Sequence, residues 1–497
     1  MFEHSPVTRI EFMKTVSKSS FVAGLTCHRK LWQLLWDRQS AAPRSGMDQL
    51  KMEFGTRFGE VAHCLYPDAT LIDINIRKLK QAEEDTRKAI DEGADVILEA
   101  TFRHEQCRVL SDIVEKQTDG TWHLIEVKSS TEVKDEHIPD LAFQKWVMER
   151  CGYPVSKCSV VFADKTGVWP DKRSIFQYED VTDRVEVAAK LVPEQLLPML
   201  EIATSRGKRP AFEDWISKEC HDCEFKKTVC WTEISEPTIY DIIDKRKIPA
   251  LEAESIVYVR EIPGDFDLYK GNRRHVDCMQ SQSVNIDKAG IRSKLEELEY
   301  PIHFLDFESV SVPVPLFDGN HPWEKLPFQY SLHTLEESGD LRHAEFLHEE
   351  HSDPSARTAE QLVQDIGKAG SVIVYHATME SGVLKYLAER FPMHADALLS
   401  IDQRIWDLEK VFLQDYRHWR FGSRSSIKVV LPTLIPDLSY ETEEISDGGY
   451  ASLAWIQLLE SDDEMGQRQI ADALRSYCKL DTLAMVELLK HVRSVVQ

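Results

Sequence analysis

The chain lacks several features that would assign it quickly to a large class of proteins. Its 497 residues contain no apolar run near the ~20 residues of a membrane span, so no membrane partner is expected. The first residues, MFEHSPVTRIEFMK, lack the basic and then apolar layout of a signal peptide, so we expect a cytoplasmic protein. Internal repeats, low-complexity tracts and a GxxxxGK(S/T) phosphate-binding loop are also missing. The chain therefore shows no phosphate-binding loop of its own for an ATP-driven motor.

Positive charge is scarce, because 60 Lys and Arg residues face 84 Asp and Glu residues, a formal net charge of −24. This balance argues against extensive phosphate contacts and favours an acidic, solvated surface. Metal sites add carboxylates of their own, so the global charge does not decide the partner. One basic segment is interleaved with aromatic residues and could grip a single strand by charge and stacking, with a solvated loop as an equal alternative. Its members are Arg417, Trp419, Arg420, Phe421, Arg424 and Lys428.

The composition, with 42% hydrophobic and 29% charged residues, is that of a soluble globular protein. The length suggests about three domains at roughly 150 residues each. Alternating strand-like and helix-like patterns predict an α/β fold. We predict an N-terminal domain over 15–231, a small helical linker module over 232–300 and a C-terminal domain over 301–497.

The patterns also predict individual elements. In the N-terminal domain they indicate a helical stretch over 15–40, strands between 94 and 129, a helix over 137–150 and a strand over 155–164. In the C-terminal domain they indicate strands over 302–307, 327–334, 341–347 and 371–376, and helices over 356–369 and 380–391.

Two neighbouring strands predicted in the N-terminal domain carry an acidic pair. Asp112 lies in one strand, and Glu126 and Lys128 share a face of the next, because alternate residues of a strand point the same way. Asp112 and Glu126 can together hold a divalent cation through hard oxygen ligands. Lys128 can orient or deprotonate an attacking water, or stabilise a charged transition state. Exposed strands often alternate charges in this way, so the pattern alone is not specific.

Two further residues place this pair in a known context. His63 ends a helix upstream, and Gln144 lies in the helix downstream. With them the set resembles the RecB-type branch of the PD-(D/E)XK nucleases in order and spacing. The resemblance implies that His63 is a further metal ligand and Gln144 a catalytic residue. That branch usually places an aromatic residue four positions after the Gln, where Met148 stands here. Glu99 is a candidate auxiliary carboxylate.

Three cysteines form a C-x2-C-x6-C motif at Cys220, Cys223 and Cys230. Three thiols this close in a cytosolic chain indicate a metal site, and Cys27 is the best candidate for a fourth ligand. The layout resembles the iron–sulfur nucleases of the AddB and CRISPR-associated RecB-type exonuclease group. That resemblance implies a 4Fe–4S cluster that staples the N-terminal helix to the end of the domain.

Zinc is the alternative occupant of this site. Sites of four Cys, or of three Cys and one His, also suit Zn²⁺, and His28 or His221 could replace one thiol. Free buried thiols are a third alternative.

A second acidic set lies in the C-terminal domain. Asp306 and Glu308 share one face of a strand, and Tyr477 lies beside Asp481 on the last helix, because residues four apart on a helix are neighbours. Carboxylates that converge from distant segments repel one another unless divalent cations neutralise them. Two Mg²⁺ or Mn²⁺ ions about 3.5–4 Å apart can clamp the attacking and leaving oxygens of a phosphodiester. The pattern predicts a metal-dependent nuclease.

This set, together with His376-Ala-Thr-Met-Glu380, resembles the DEDD superfamily of RNase H-like (DnaQ-type) 3′–5′ exonucleases. The Tyr before the last Asp places it nearest to the DEDDy subgroup. The resemblance implies that Glu380 is a further metal ligand, although these enzymes have Asp there. It also implies that Tyr477 orients the water that attacks the substrate.

Nearly the whole chain also resembles a bacterial family that joins these two nuclease domains, with no established substrate. The matching stretches are SKSSFVAGLTCHRKLW, HFLDFESV, PFQYSLH, GSRSSIKVVLP and YCKLDTLAMV. We expect a nuclease that hydrolyses DNA in repair, recombination or defence against foreign DNA. The alternatives are an RNA-trimming exonuclease, a protein in which one module is an inactive nucleic-acid-binding or docking platform, and a zinc-stapled interaction protein without activity.

Overall fold

The structure is a computed structural model, and the chain forms two compact units. The first unit comprises Met1–Pro43, Lys51–Glu233 and Val312–Glu324, and the second comprises Arg44–Leu50, Ile234–Ser311 and Lys325–Gln497. We call them the N-terminal and C-terminal units. The residues described are 13–75, 78–204, 209–210, 218–220, 223–232, 234, 237–242, 245–422, 424–438, 445 and 447–497. Most of the predicted linker module falls within the C-terminal unit, and its status as a separate module stays a prediction.

The N-terminal unit is built on a seven-stranded mixed sheet. Its strands are β1 (Val16–Ser17), β2 (Thr70–Leu71), β3 (Val96–His104), β4 (Cys107–Lys116), β5 (Trp122–Lys128), β6 (Val155–Ala163) and β7 (Phe176–Asp180). The order is β2-β3-β4-β5-β6-β7, with β1 beside β4. Strands β3, β4 and β5 are antiparallel, whereas β5 and β6 are parallel. A parallel pair needs a crossover connection, and a helix over 137–150 supplies it.

Seven helices are described in the first 204 residues. They are α1 (Lys18–Thr26), α2 (His28–Trp36), α3 (Gly46–Ala62), α4 (Leu79–Asp91), α5 (His137–Arg150), α6 (Thr182–Ala189) and α7 (Val192–Thr204). Helix α1 begins at a capping box in which the side chains of Ser17 and Ser20 each accept from the other residue's backbone N–H. It ends at Cys27, whose extended backbone separates α1 from α2. The predicted helical stretch over 15–40 is therefore two helices. The stacked rings of Phe21 and Phe143, 4.5 Å apart, join α1 to α5 in the core.

The C-terminal unit contains a five-stranded sheet and a two-stranded ribbon. The ribbon pairs β8 (Val284–Ile286) with β14 (Tyr416–His418), and the sheet contains β9 (Ile302–Val310), β10 (Leu326–Leu335), β11 (Leu341–Leu347), β12 (Val372–Val374) and β13 (Ile405–Asp407). The sheet order is β11-β10-β9-β12-β13. Strands β9, β10 and β11 are antiparallel neighbours, and β12 is parallel to both β9 and β13.

Ten helices are described in this unit. They are α8 (Ile248–Ala253), α9 (Lys270–Ser281), α10 (Lys288–Leu295), α11 (Ser355–Ile366), α12 (Thr378–Arg390), α13 (Ala395–Gln403), α14 (Glu409–Gln414), α15 (Ile427–Leu434), α16 (Gly448–Glu460) and α17 (Glu464–Val496). Helix α17 has 33 residues and contacts β9 and β10. The mixed α/β fold class predicted from the sequence is confirmed. Within the described ranges, no helix combines the length and apolar character that crossing a bilayer requires.

Candidate active sites

The first acidic cluster lies in the N-terminal unit, on the antiparallel strands β4 and β5. The pairing of Ile113 with Ile125 brings Asp112 and Glu126 to adjacent positions across the two strands. Asp112 Oδ2 accepts a hydrogen bond of 2.7 Å from the backbone N–H of Val127. This bond fixes the Asp112 carboxylate against the strand that carries Glu126.

Two lysines flank the Glu126 carboxylate, which is only 1% exposed. Lys128 Nζ donates to Glu126 Oε1 at 2.7 Å and to Asp140 Oδ2 at 2.8 Å. Lys18 Nζ donates to the same Glu126 oxygen at 2.8 Å and lies 3.5 Å from Asp112 Oδ1. The Lys18 ammonium group therefore stands between the two carboxylates that were predicted to share a divalent cation.

Gln144 is fully buried on α5 and holds the cluster in place. Its Nε2 donates to Glu126 Oε2 at 2.7 Å and to Asp140 Oδ1 at 3.1 Å. Its Oε1 accepts from the Ser111 hydroxyl at 2.9 Å. These contacts make Gln144 a positioning residue for Glu126, and the catalytic role implied by the resemblance stays a prediction.

His63 and Glu99 lie in the same cleft as the acidic pair. His63 begins a short 3-10 turn after α3, and its Nε2 lies 3.5 Å from Glu99 Oε1. Glu99 has φ +59° in the middle of β3, a left-handed conformation that is strained for a residue with a side chain. Both residues line an open cleft of about 1140 Å³ together with Asp112 and Glu126. His63 can therefore serve as a further ligand, and Glu99 as an auxiliary carboxylate.

The two neighbouring carboxylates have opposite pKa shifts. Burial, and then the charge of Glu126, raise the pKa of Asp112 to about 7, although Lys18 and Lys128 oppose the shift. Burial also disfavours the ionised form of Glu126, but Lys128 and Lys18 outweigh it and hold the pKa of Glu126 well below its usual range.

Lys128 is held as a cation. Burial alone would lower its pKa, but the charges of Glu126 and Asp140 raise the pKa above its ordinary value. A lysine in this state suits charge stabilisation better than proton abstraction.

All four cysteines predicted to share a metal line one small pocket of the N-terminal unit. They are Cys27, Cys220, Cys223 and Cys230. All four are free thiols, so no disulfide competes for them. The same pocket is lined by Arg29, Lys30 and Lys226, whose positive charges suit an anionic metal–thiolate centre. His221 lies outside the described residues, and His28 is not among the residues that line the pocket.

The thiols raise one another's pKa in the absence of a cation. Burial raises the pKa of Cys230 to about 11, with further contributions from the neighbouring thiols of Cys223, Cys27 and Cys220. Burial also raises the pKa values of Cys27 and Cys223. Converging thiols of this kind are the donor set that Fe–S clusters and Zn²⁺ take, because a bound metal reverses the shift. The residues present therefore fit either occupant.

The second acidic cluster lies in the C-terminal unit, between β9 and α17. The ligand atoms of Asp306, Glu308 and Asp481 all lie within 4.8 Å of one another. Glu308 and Asp481 are buried, at 8% and 7% exposure. The prediction that these three carboxylates converge is confirmed by the geometry, and their identity as metal ligands stays a prediction.

Glu380 approaches this cluster from the first turn of α12. It is 3% exposed, and its Oε2 has no hydrogen-bond partner among the residues that the structure describes. Its charge contributes to the raised pKa values of both Asp306 and Glu308, so it lies within electrostatic reach of them. Glu380 is not part of the group of three ligand atoms, but its unpartnered buried oxygen is free to accept a cation.

Tyr477 lies one helical turn before Asp481 and is 3% exposed. Its hydroxyl accepts a hydrogen bond of 3.1 Å from Lys428 Nζ, which also lies 5.2 Å from the centre of its ring. The charge of Lys428 also opposes the rise in the pKa of Glu308. The tyrosine hydroxyl is therefore fixed beside the acidic cluster, where it can orient a water.

Like charges dominate the electrostatics of this cluster. Burial, then Asp481 and Glu308, raise the pKa of Asp306 well above its ordinary value. Burial, and then Asp481, raise the pKa of Glu308 to about 8. Burial raises the pKa of Glu380 to about 7. A divalent cation would reverse these shifts by favouring the ionised carboxylates.

Three residues of these sites were not predicted from the sequence. Asp140 lies four residues before Gln144 on α5, a spacing that could have revealed it. Lys18 gives no such signal, because only the fold brings it to β4 and β5. Lys428 was assigned to the basic and aromatic segment rather than to Tyr477.

The basic and aromatic segment does not form a single surface. Arg417 and Phe421 are buried, at 3% and 1% exposure. Of the remaining members, Arg420 lies 5.3 Å from the ring centre of Trp419. The hypothesis that all of these side chains grip one strand is therefore wrong for Arg417 and Phe421, because both are buried and Phe421 belongs to the hydrophobic core.

Comparison with known proteins adds little to this geometry. The family model described as "Domain of unknown function (DUF2779)" matches residues 303–426. The matched segment contains Asp306, Glu308 and Glu380 but ends before Tyr477 and Asp481. A search of curated proteins found no match.

A solved structure titled "Crystal structure of SSO0001" is similar to part of the chain. The two share 13% sequence identity, with 47% of this chain and 90% of that chain covered, at a TM-score of 0.19. A TM-score this low supports no conclusion about fold or function.

Proposed function

We propose that the protein is a metal-dependent nuclease with a PD-(D/E)XK module in the N-terminal unit and a DEDDy-type RNase H-like 3′–5′ exonuclease in the C-terminal unit. The observation that carries the proposal is the convergence of Asp306, Glu308 and Asp481 within 4.8 Å. The raised pKa values of Asp306 and Glu308 mean that the folded chain gathers negative charge at a cost unless a cation is bound. DNA is the proposed substrate.

The topology of each unit supports this assignment. In the C-terminal unit, three antiparallel strands continue into two parallel ones, and the long last helix lies against the strand that carries Asp306 and Glu308. In the N-terminal unit, Asp112 and Glu126 lie on adjacent strands, and the crossover helix after the second strand carries Gln144.

In the C-terminal module, the carboxylates of Asp306, Glu308 and Asp481 would hold the ions, with the unpartnered oxygen of Glu380 as a further ligand. Bound Mg²⁺ or Mn²⁺ would supply a low-pKa water and neutralise charge on the scissile phosphate. The Tyr477 hydroxyl, fixed by Lys428 at 3.1 Å, would orient the attacking water. Hydrolysis would release nucleotides with a 5′-phosphate.

In the N-terminal module, Asp112 and Glu126 would hold the cation, with His63 in the same cleft as a further ligand. Because Lys128 is held as a cation, its role would be to stabilise negative charge on the transition state. Lys18 would have to leave its position between the two carboxylates before a metal enters.

The four-cysteine pocket would have a structural role in this module. A 4Fe–4S cluster, or alternatively Zn²⁺, would join α2 to the segment after α7. Anaerobic purification followed by measurement of colour, iron and zinc distinguishes the two occupants.

One observation favours a second candidate function for the N-terminal unit. The Lys18 ammonium group already contacts both Asp112 and Glu126 and offsets part of their charge, so that site needs a metal less than the C-terminal cluster does. In this case the N-terminal unit is an inactive platform that binds nucleic acid or a partner such as a helicase, and the C-terminal unit alone cleaves.

The decisive experiment uses anaerobically purified full-length protein with Mn²⁺ on DNA and RNA strands labelled at either end. We expect stepwise shortening from the 3′ end. The rate of shortening should fall by roughly 10²-fold or more in Asp481→Asn, which is the usual size of the effect of removing one active-site electrostatic contact. Asp472→Asn is the matched control, because Asp472 lies on the same helix with its side chain 80% exposed.

Residual cleavage in Asp481→Asn that disappears on adding Lys128→Met would assign activity to the N-terminal unit. If the wild-type protein cleaves no labelled DNA or RNA in Mn²⁺, the proposed function is wrong. Preference for the RNA strands would change the substrate from DNA to RNA.

A further inference from the structure

A second pocket of the N-terminal unit is lined by basic side chains, away from the acidic cleft. It has a volume of about 210 Å³ and lies between α4, the end of β3 and the end of α5. Arg87, Arg103 and Arg150 line it together with His104. The grouping is unusual in a chain with a formal net charge of −24.

The three arginines are not occupied by acidic partners. Within the described ranges, no ion pair joins Arg87, Arg103 or Arg150 to a carboxylate. The acidic residue that lines the pocket, Glu83, is engaged by Arg108 Nε at 2.6 Å. The pocket therefore holds an excess of positive charge.

Contacts with the chain hold two of the guanidinium groups near the pocket. Arg103 donates through Nε to the carbonyl of Glu105 at 3.0 Å, which leaves its terminal nitrogens to bind a ligand. Arg150 lies 5.3 Å from the ring centre of Trp146, a cation–π contact that restrains it. Both side chains are partly ordered before any ligand binds, which reduces the entropy lost on binding.

A buried hydroxyl in the pocket wall indicates a ligand independently of the charges. Thr101 is 2% exposed, and within the described part of the chain its Oγ1 has no hydrogen-bond partner. Its neighbour Thr86 is satisfied, since the Thr86 hydroxyl donates to the carbonyl of Ala82 and accepts from the Thr101 N–H. Buried polar atoms are normally paired, and Thr101 is one of the residues that line the basic pocket, so an anion with acceptor oxygens would be a suitable partner for its hydroxyl.

We propose that this pocket binds a phosphate group. The volume is below the roughly 300–1,000 Å³ of sites for drug-sized ligands, so it suits one phosphate rather than a whole nucleotide. Arginine forks match phosphate oxygens through paired N–H donors, and Thr101 adds a hydroxyl donor.

The phosphate has two sources. It belongs either to a nucleic acid strand or to a free phosphorylated small molecule. Arg150 lies six residues beyond Gln144 on α5, so the pocket is roughly 9 Å along that helix from the acidic cleft. That spacing is roughly the axial rise of three nucleotides of a DNA strand. Binding of a phosphate from a nucleic acid strand rests on the proposed function, whereas binding of a free phosphorylated molecule does not.

The first arm of the test is calorimetric titration of inorganic phosphate into the full-length protein in EDTA, which excludes binding through a divalent metal. We expect one saturable site, with affinity reduced by about tenfold or more in Arg87→Gln or Arg103→Gln, the effect of losing one charge-assisted hydrogen bond. Lys88→Gln is the matched control, because Lys88 adjoins Arg87 on α4 and does not line the pocket.

Thr101→Val gives a readout that a purely structural role would not produce. Replacing an unpaired buried hydroxyl by a methyl group of similar shape should leave the thermal midpoint of the free protein unchanged or higher. The same variant should bind phosphate more weakly. A lower midpoint with unchanged phosphate affinity would contradict the proposal.

The second arm measures binding of a DNA strand with hydroxyls at both ends, again in EDTA. If the strand supplies the phosphate, Arg87→Gln weakens strand binding relative to Lys88→Gln, and inorganic phosphate competes. If a free molecule supplies it, the two variants bind the strand equally while only Arg87→Gln loses phosphate affinity. The proposal is overturned if Arg87→Gln and Lys88→Gln behave alike in both arms. Neither arm requires cleavage, so an inactive nuclease would leave the result unaffected.

Discussion

In the N-terminal unit the buried carboxylate of Glu126 accepts hydrogen bonds from Lys18 and Lys128, whereas in the C-terminal unit Asp306 and Glu308 converge on a third carboxylate. The pKa values shift in opposite directions as a result. The lysines hold the pKa of Glu126 below its usual range, while burial and like charge raise that of Glu308 to about 8. Burial is common to Glu126 and Glu308, so for these two carboxyls the sign of the nearest charges decides the outcome. Asp112 differs from its neighbour Glu126, because burial and the charge of Glu126 raise its pKa to about 7 in spite of the lysines.

This difference in pKa shifts determines how strongly each site depends on a bound metal. The first cluster contains its own cations, Lys18 and Lys128, which offset part of its negative charge but leave the pKa of Asp112 raised to about 7. The second must keep protons on its carboxylates or bind an external cation. We therefore expect the C-terminal unit to depend more strongly on divalent metal and on pH.

The largest expected effect is a fall in the stability of the metal-free C-terminal unit as pH rises. The pKa of Glu308 is near 4.5 in the unfolded chain and about 8 in the folded one. Between these values the folded state binds more protons, so the free energy of unfolding decreases with rising pH, by at most about 1.4 kcal/mol per pH unit for this group. The loss between pH 5 and 8 is then about 4 kcal/mol at most.

Calorimetric thermal midpoints at pH 5, 6.5 and 8 in EDTA test this dependence. The fall should be smaller in Glu308→Gln than in Glu360→Gln, which changes an exposed carboxyl on α11. Saturating Mn²⁺ should remove the fall in the thermal midpoint with rising pH. Glu126 contributes the opposite sign, with stability lost as pH falls below about 4.5, because its folded-state pKa is lowered. Its neighbour Asp112, with a pKa raised to about 7, contributes a fall with rising pH that ends near pH 7. A midpoint that rises between pH 5 and 8 would contradict the comparison.

Removal of Lys18 should have the next largest effect. Lys18→Met leaves buried Glu126 and Asp112 with one fewer cation and should cost about 3 kcal/mol in EDTA, the lower end for breaking a buried ion pair. Mn²⁺ should restore most of that loss, since a cation can take the vacated position. Lys134→Met is the control, because the Lys134 and Glu136 side chains are both exposed.

Thermal midpoints with and without Mn²⁺ measure this effect. An equal loss in both conditions would show that Lys18 is only a structural partner and does not share its position with a metal. That result would favour the platform function for the N-terminal unit.

The smallest expected effect concerns the lysine of the C-terminal site. Lys428 donates to the hydroxyl of Tyr477, so Lys428→Met should cost about 1.5 kcal/mol of stability, the lower end for a hydrogen bond to a charged group. Exonuclease activity should fall by roughly tenfold, because one lost charge-assisted bond to Tyr477 is worth about 1.5 kcal/mol or more.

Tyr477→Phe is the companion variant for this measurement. If Lys428 acts through the hydroxyl, the double variant should be no slower than Tyr477→Phe alone. Additive losses in the double variant would mean that Lys428 acts on the carboxylates instead.

Local patterns in the sequence predicted most elements of the fold. The helix over 137–150 and the strand over 341–347 match the observed bounds. The helix predicted over 356–369 ends instead at Ile366, because Gly367 has φ +66° and terminates it. Cys27 split another predicted helix, since its extended backbone gives no periodic signal.

The candidate sites were predictable where residues share an element or a known motif spacing. Asp306 and Glu308 alternate on one strand, and their convergence with Asp481 followed from a resemblance to known exonucleases. Lys18 and Lys428 could not be predicted in the same way, because each approaches its partner from an element distant in the chain. Contacts between distant elements depend on packing, which local periodicity does not encode.

Helix α1 has one consequence for both sites of the N-terminal unit. It is a nine-residue segment that begins at Lys18, beside Glu126, and is followed directly by Cys27, in the four-cysteine pocket. A rod of this length, roughly 13 Å, mechanically couples its two ends. If the thiols hold an iron–sulfur cluster and the acidic cleft a metal, as we propose, oxidative loss of the cluster should shift Cys27 and, through this helix, the Lys18 ammonium group. Oxygen exposure should then alter metal access to the acidic cleft.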